Sequence, residues 1–133
     1  MLMPTLSRYM TRKPWTIART ATLMDAHLLM REHRIRHLPV MDGKSVVGMV
    51  SMRDLHLLET LPGVTPDDVE VEDAMSREMF VASEHDELAD VVERMAEAKI
   101  GSAVVMHQGD LIGIFTAIDA MRALAEILRR EVA

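Results

Sequence analysis

Two stretches of the chain share one pattern of apolar and polar positions. Val46–Asp54 reads VVGMVSMRD, and Leu111–Asp119, 65 positions later, reads LIGIFTAID. Each is an apolar run with one glycine, followed by a hydroxyl residue and, three positions on, an aspartate. Such runs predict a buried strand, and the leucine spacing after each of them predicts a helix. The hydroxyl residue therefore lies where a strand passes into a helix.

The two hydroxyl–aspartate pairs, Ser51 with Asp54 and Thr116 with Asp119, allow two interpretations. Each pair fits a capping box, which stabilises a helix start and binds nothing. Each also fits a ligand site, because a helix start attracts anions and an ionised carboxylate accepts hydrogen bonds from paired hydroxyls. One copy alone would favour the capping box. The return of the pair at the same spacing favours a site.

The whole chain repeats at this spacing. A shift of 65 positions needs no gap and places Met10 on Met75 and Met30 on Met95. We therefore predict two similar β-α-β-β-α units, residues 6–60 and 71–131, joined by a linker over residues 61–70 that is rich in proline and acidic residues. The predicted fold is α/β (α+β): two small mixed sheets flanked by helices, with the repeats packed about a pseudo-twofold axis. That packing would leave two related clefts.

Apolar spacing predicts the elements of both units. A short helical turn precedes Tyr9, and a capping box of Thr22 with Asp25 starts a helix that runs to His33, although Thr20 could also cap it. The other expected elements of the first unit are strand Leu38–Met41, a turn at Asp42–Lys44, strand Val46–Val50 and helix Met52–Thr60. In the second unit we expect a helix over residues 87–99, a hairpin turn at residues 108–110, and a last helix ending near Arg130 whose apolar stripe serves the core or a partner subunit.

Composition narrows the function classes. The 133 residues are 49% hydrophobic, which is enough for a buried core, and the absence of cysteine excludes disulfides and thiolate metal sites. A net charge of −6 and 3% aromatic residues argue against a nucleic-acid partner. The N-terminus has no apolar segment of signal-peptide length, and no run is long enough to span a membrane. We therefore expect a cytoplasmic protein.

The sequence contains no recognisable motif for catalysis or for metal binding. The chain has no nucleophile elbow, phosphate loop or dinucleotide fingerprint, so we expect that it is not an enzyme. Its six histidines show no metal-binding pair spacing and are expected at the surface or at strand edges. The thirteen methionines are spread along the chain and are most simply apolar core residues.

Three segments carry a resemblance to a known family. They are Tyr9-Met10-Thr11, the IRHLPV run of residues 35–40, and residues 47–54. Each unit resembles the CBS domain, and residues 6–131 resemble a stand-alone CBS pair, or Bateman module. The second copy departs from the pattern, because Val104 replaces Pro39 and Ser102 replaces His37.

The resemblance implies a module that binds adenosine-containing ligands such as AMP, ADP, ATP or S-adenosylmethionine, with no other cofactor. It also implies a homodimer, formed through helices into a disc of four units, and an effector protein that receives the signal. In this family the aspartate holds the ribose hydroxyls, the Ser or Thr lies near the phosphates, and apolar residues of the other unit enclose the base.

Carried onto this sequence, the resemblance gives two clefts. The residues expected in one cleft are Ser51, Arg53 and Asp54 with Phe80, Ile100 and Gly101. Those expected in the other are Thr116, Ile118 and Asp119 with Trp15, Ile35 and Arg36.

The two clefts should differ in affinity. Arg53 could reach a phosphate chain, whereas Ile118 cannot, although Arg36 could compensate from across its cleft. Gly101 leaves more room than Arg36. We therefore expect the Asp54 cleft to bind a phosphorylated nucleotide more tightly, unless Arg53 simply faces solvent. Two other functions stay open: a dimerisation scaffold without a ligand, and a small enzyme of unknown chemistry.

Overall fold

A computed structural model describes residues 3–132 of the chain. In this range the chain forms two compact units. The first unit is Trp15–Met79, and the second combines the segment that ends at Pro14 with the segment that begins at Phe80. The leading residues of each sequence repeat therefore belong to the compact unit that is otherwise built from the other repeat.

The elements follow the predicted order in both units. In chain order they are α1 Leu6–Tyr9, β1 Thr11–Arg12, β2 Ile17–Ala18, α2 Leu23–His33, β3 His37–Asp42, β4 Ser45–Ser51, α3 Met52–Glu59, β5 Val81–Ala82, α4 Leu88–Ala98, β6 Ser102–His107, β7 Asp110–Thr116 and α5 Ala117–Val132. A single 3-10 turn, Val71–Asp73, follows the predicted linker. The prediction of two β-α-β-β-α units is confirmed.

Each unit contains one small mixed sheet, as predicted. In the first unit the order is β2-β3-β4, with β2 parallel to β3 and β3 antiparallel to β4. In the second unit the order is β1-β7-β6-β5, with the same directions between the corresponding strands and β1 added antiparallel to β7. The end of β4 therefore leads directly into α3, and the end of β7 leads directly into α5.

The predicted cap of α2 is confirmed at Thr22. The Thr22 hydroxyl accepts a hydrogen bond from the Asp25 amide at 3.1 Å, and the Asp25 carboxylate accepts one from the Thr22 amide at 3.0 Å. The helix ends where Arg34 adopts a left-handed conformation, with φ of 55°. This end separates His33 from His37, as expected, so the two histidines do not share a helix face.

Each unit has its own apolar core, and the leading segments contribute to both. Leu6 and Met10 are buried in the core of the second unit, beside Phe115. Val71 is buried in the core of the first unit. Residues 61–70 lie outside the helices and strands, but Val64 and Val69 pack against the same core. The expected linker is therefore partly ordered by apolar contacts.

The glycine of each repeated motif makes room for a leading segment. A Cβ on Gly48 would lie 2.6 Å from the Met75 sulfur and 2.8 Å from the backbone oxygen of Ser76. A Cβ on Gly113 would lie 2.7 Å from the backbone oxygen of Thr11. Because a backbone oxygen in a strand or a β-bridge cannot move aside easily, the motif requires glycine at both positions.

Candidate functional site

The strand-to-helix junction of the first unit is a capping box formed by Ser51 and Asp54. The Ser51 hydroxyl accepts from the Asp54 amide at 3.1 Å, and Asp54 Oδ2 accepts from the Ser51 amide at 2.9 Å. Asp54 is half-buried, and no hydrogen bond to its Oδ1 is formed by residues 3–132. The capping interpretation is therefore confirmed for this pair, and one carboxylate oxygen is still able to accept a further donor.

The corresponding aspartate of the second unit, Asp119, accepts more hydrogen bonds than Asp54 does. Asp119 is only 5% exposed. Its Oδ2 accepts from the Thr116 amide at 2.9 Å, and the Thr11 hydroxyl donates to Oδ1 at 3.1 Å and to Oδ2 at 3.3 Å. The Thr116 hydroxyl lies 3.3 Å from Oδ2 as well. Both oxygens of this carboxylate therefore already have protein partners.

Next to the Ser51 junction lies a cavity of about 770 Å³, which we call the basic cavity. It is formed by α2, the start of β3, and α3. Its lining residues are His27, Arg31, Arg36, His37, Ser51, Met52, Arg53, His56, Leu57 and Thr60. Ser51 and Arg53 were expected in the same cleft, and both line this cavity. Arg36 lines it as well, although it was expected in the cleft of Asp119.

The charge of the basic cavity is not balanced by acidic residues. Within the described part of the chain, the three guanidinium groups of Arg31, Arg36 and Arg53 have no carboxylate oxygen within 4.0 Å. The lining includes no aspartate or glutamate. One histidine is paired: His27 Nε2 lies 2.7 Å from Glu59 Oε2. The cavity therefore has a surplus of positive charge.

The histidines of the cavity are in different environments. Burial lowers the pKa of His37 below its ordinary value of 6.5, nearby Asp54 opposes this shift, and Arg36 adds to it. The rings of His27 and His56 lie 5.8 Å apart between centroids. At neutral pH, His37 is therefore held mainly in its uncharged form.

The second unit has a smaller cavity of about 440 Å³, which we call the apolar cavity. It contains Ile100 and Gly101, which were expected in the cleft of Asp54. Its lining residues are Val92, Met95, Ala96, Lys99, Ile100, Gly101, Ala117, Ala120 and Met121. Among the described residues that line it, Lys99 alone is charged.

The internal repeat makes the two cavities directly comparable. At the shift of 65 positions, every basic residue that lines the basic cavity has an uncharged counterpart. The pairs are His27 and Val92, Arg31 and Ala96, Arg36 and Gly101, His37 and Ser102, Arg53 and Ile118, and His56 and Met121. The cavities beside the two junctions therefore differ strongly in positive charge.

The two aromatic rings predicted to contact a base already have partners within their own units. The Trp15 indole stacks on His33, with centroids 3.7 Å apart and planes 12° from parallel, and it is 53% exposed. The Arg94 guanidinium lies 4.9 Å from the centroid of the half-buried Phe80 ring. One face of Trp15 is thus occupied by an imidazole.

The remaining predicted residues are placed separately. Ile35 is half-buried against the core of the first unit, and Ile118 is exposed at the start of α5. The expected pairings of residues from different repeats stay predictions.

Sequence reasoning missed part of the basic cavity. We expected scattered histidines, but His27, His37 and His56 line one cavity. The spacing of His27 and Arg31, four apart on α2, was a usable signal, because residues at this spacing share a helix face. Among residues 3–132, no group of three or more His, Asp or Glu side chains could hold a metal ion.

No helix within the described range is both long and apolar enough to cross a membrane.

Comparison with known proteins identifies the family. The family model of the CBS domain matches residues 6–57 and 71–126, which is most of the chain. The chain belongs to the CBS domain family. This CBS pair is 30% identical over 108 residues to the CBS domain-containing protein YhcV of Bacillus subtilis, a match that covers 79% of this chain and 74% of YhcV.

Solved structures agree with this assignment. A putative acetoin utilization protein (AcuB) from Vibrio cholerae superposes with a TM-score of 0.88 and 30% identity, covering 99% of this CBS pair and 98% of that chain. CBSX2, crystallised in complex with AMP, superposes with a TM-score of 0.78 and 27% identity, covering 93% and 98%.

Proposed function

We propose that this CBS pair is a regulatory module that binds an adenosine-containing ligand, namely AMP, ADP, ATP or S-adenosylmethionine. The observation that carries the proposal is the Ser51 junction, where Ser51 and the start of α3 line the basic cavity and Asp54, in the same capping box, keeps one available carboxylate oxygen. The AMP bound to the similar CBSX2 supports the same ligand class.

The junction offers groups that match two parts of such a ligand. The amide groups at the start of α3, the Ser51 hydroxyl and the arginines of the basic cavity suit phosphate oxygens. Asp54 Oδ1 suits a ribose hydroxyl, because an ionised carboxylate only accepts hydrogen bonds. Asp119 has both oxygens engaged by Thr11 and Thr116, so we expect the Asp54 side to bind more tightly.

The module acts by binding and not by catalysis. A ligand can shift a regulatory module only by the difference between its affinities for two conformations. The output passes to an effector protein, and we place the protein in the cytoplasm. A homodimer formed through helices is supported by α5, which exposes Met121, Leu124 and Leu128 along one stripe.

A dimerisation scaffold without a ligand is the second candidate. Its support is that capping alone accounts for the hydrogen bonds of Ser51 with Asp54 and for two of those between Thr116 and Asp119. The exposed stripe of α5 would serve this function equally well.

Thermal unfolding of the full chain with millimolar ligand separates the two candidates. A ligand that binds only the folded state raises the free energy of unfolding by about 2.7 kcal/mol at a hundred times its Kd. We expect AMP, ADP, ATP or S-adenosylmethionine to raise the melting temperature. If none of the four does so, the scaffold is the correct function.

A pair of matched variants assigns the site. Asp54→Asn should remove most of the ligand-induced shift. Asp25→Asn changes the equivalent position of the capping box on α2, outside both cavities, and should leave the shift intact. Equal shifts in the two variants would contradict a role for Asp54 in binding.

A further inference from the structure

We infer that the basic cavity binds the phosphate chain of the ligand, and that the module therefore prefers an adenosine di- or triphosphate over AMP and over S-adenosylmethionine. The inference rests on the proposed function for the adenosine part. Its own basis is the charge of the cavity and the contrast with the apolar cavity.

Three arginines from separate elements line the basic cavity. Arg31 lies on α2, Arg36 just before β3, and Arg53 in the first turn of α3, so three different parts of the unit each contribute one arginine to the lining. One phosphate needs only one such group beside a helix start. Several separated cations suit an extended anion with charge on each phosphate.

Among the described residues, no acidic side chain pairs with the arginines of the basic cavity. None of these arginines has a carboxylate partner within 4.0 Å in the described residues, and no acidic residue lines the cavity. Unpaired like charges around one hollow repel each other, and a polyanion removes that repulsion. S-adenosylmethionine carries a sulfonium cation, which the same cluster would repel.

The two repeats of the chain differ in the charge of their cavities. The apolar cavity is formed by the equivalent elements of the other repeat and has none of the six basic residues at the equivalent positions. Fold and capping alone therefore do not require cations beside the junction. The cations are a feature of the first repeat, and they fit a function that only this junction performs.

The size of the cavity is consistent with an extended ligand. Its volume of about 770 Å³ lies within the range of small-molecule sites. The cavity also extends beyond the Ser51 junction along α2 to His27 and Arg31, and along α3 to Thr60. A chain of two or three phosphates can follow this extension, whereas a monophosphate ends near the junction.

Calorimetric titration of the full chain tests the inference, with AMP, ATP, S-adenosylmethionine and inorganic triphosphate as ligands. We expect ATP to bind at least about tenfold more tightly than AMP, since one additional charge-assisted hydrogen bond has about this effect. S-adenosylmethionine should bind more weakly than AMP. Inorganic triphosphate should bind measurably without any nucleoside.

The decisive variant is Arg31→Gln combined with Arg53→Gln, and the matched control is Arg77→Gln. Arg77 is exposed in the same unit but does not line the cavity. The double variant should lose triphosphate binding and most of the advantage of ATP over AMP, whereas the control should keep both. Circular dichroism of each variant confirms that it is folded. Raising NaCl from about 50 mM to about 500 mM in the wild type should weaken ATP binding more than AMP binding.

The outcomes separate this inference from the proposed function. Equal affinities for ATP, AMP and S-adenosylmethionine would overturn the inference and leave an adenosine-binding module. Unchanged ATP affinity in the double variant would overturn it as well. A third outcome is that inorganic triphosphate binds to the wild type but not to the double variant, while no adenosine compound binds to either. This result would support the anion site and refute the adenosine-binding function.

Discussion

The hydroxyl of Thr11 donates hydrogen bonds to both carboxylate oxygens of Asp119, at 3.1 and 3.3 Å. Thr11 belongs to the leading segment of the first sequence repeat, and Asp119 ends the repeated motif of the second. The counterpart of Thr11 is Ser76, whose hydroxyl donates to the backbone oxygen of Glu78 instead. The two motif aspartates therefore differ in more than their neighbouring charges. Among the described residues, Asp119 accepts hydrogen bonds from a leading segment, whereas Asp54 does not.

This difference predicts unequal effects on stability. Thr11→Val removes a donor from a buried carboxylate, and losing a hydrogen bond to a charged group should lower the free energy of unfolding by about 1.5–3 kcal/mol. Ser76→Ala changes an exposed hydroxyl and should change it by less than about 0.5 kcal/mol. Urea unfolding of both variants measures the difference. Equal effects would show that the Thr11–Asp119 contact does not stabilise the fold.

The motif glycine gives a second prediction. Gly48→Ala would place a Cβ 2.8 Å from the backbone oxygen of Ser76, which is hydrogen-bonded to the Met49 amide. The clash should displace this strand pairing and lower the free energy of unfolding by about 1–3 kcal/mol. Ser45→Ala, at the exposed start of the same strand, serves as the control and should be nearly neutral. A neutral Gly48→Ala would contradict the requirement for glycine.

A third prediction concerns the leading segment of the chain. Leu6 is completely buried in the core of the second unit, so Leu6→Ala should lower the free energy of unfolding by about 2–5 kcal/mol. Leu28→Ala, at an exposed position of α2, should have little effect. Urea unfolding measures both.

Double-mutant cycles test which core Leu6 belongs to. The effect of Leu6→Ala should couple with that of Phe115→Leu, which lies in the same apolar cluster. It should add simply to the effect of Leu38→Ala, which lies in the cluster of the first unit. Coupling with Leu38 alone would contradict the assignment of the leading segment.

These long-range contacts mark the limit of what the sequence predicted. Local spacing predicted the helices, the strands, the hairpins and the Thr22 cap. It could do so because the period of apolar residues and the capping residues act over only a few positions. The placement of α1 and β1 did not, since four and two residues carry no usable period. Their assignment to the second unit depends on burial of Leu6 and on space at Gly113.

The basic cavity was likewise only partly predictable. Arg53 and Ser51 were found through the repeated motif, whereas the family resemblance placed Arg36 in the cleft of Asp119. Arg31 and His56 were not found, because their contribution depends on how α2 and α3 are placed against each other. In the alignment of the two repeats, the replacement of basic by uncharged residues is visible in the sequence alone. Only the structure shows that these positions surround one cavity.

The last prediction follows from the lowered pKa of His37, which burial causes, with Arg36 adding to the shift and Asp54 opposing it. Because the folded state takes up a proton less readily than the unfolded chain, His37 contributes full stability above its ordinary pKa of 6.5 and loses it as the pH falls below that value. The free energy of unfolding of the wild type should therefore decrease relative to that of His37→Gln between about pH 7 and pH 5. Urea unfolding at several pH values measures this difference. His107→Gln, at an exposed position, provides the control, and curves for wild type and His37→Gln that stay parallel would contradict the predicted effect of burial.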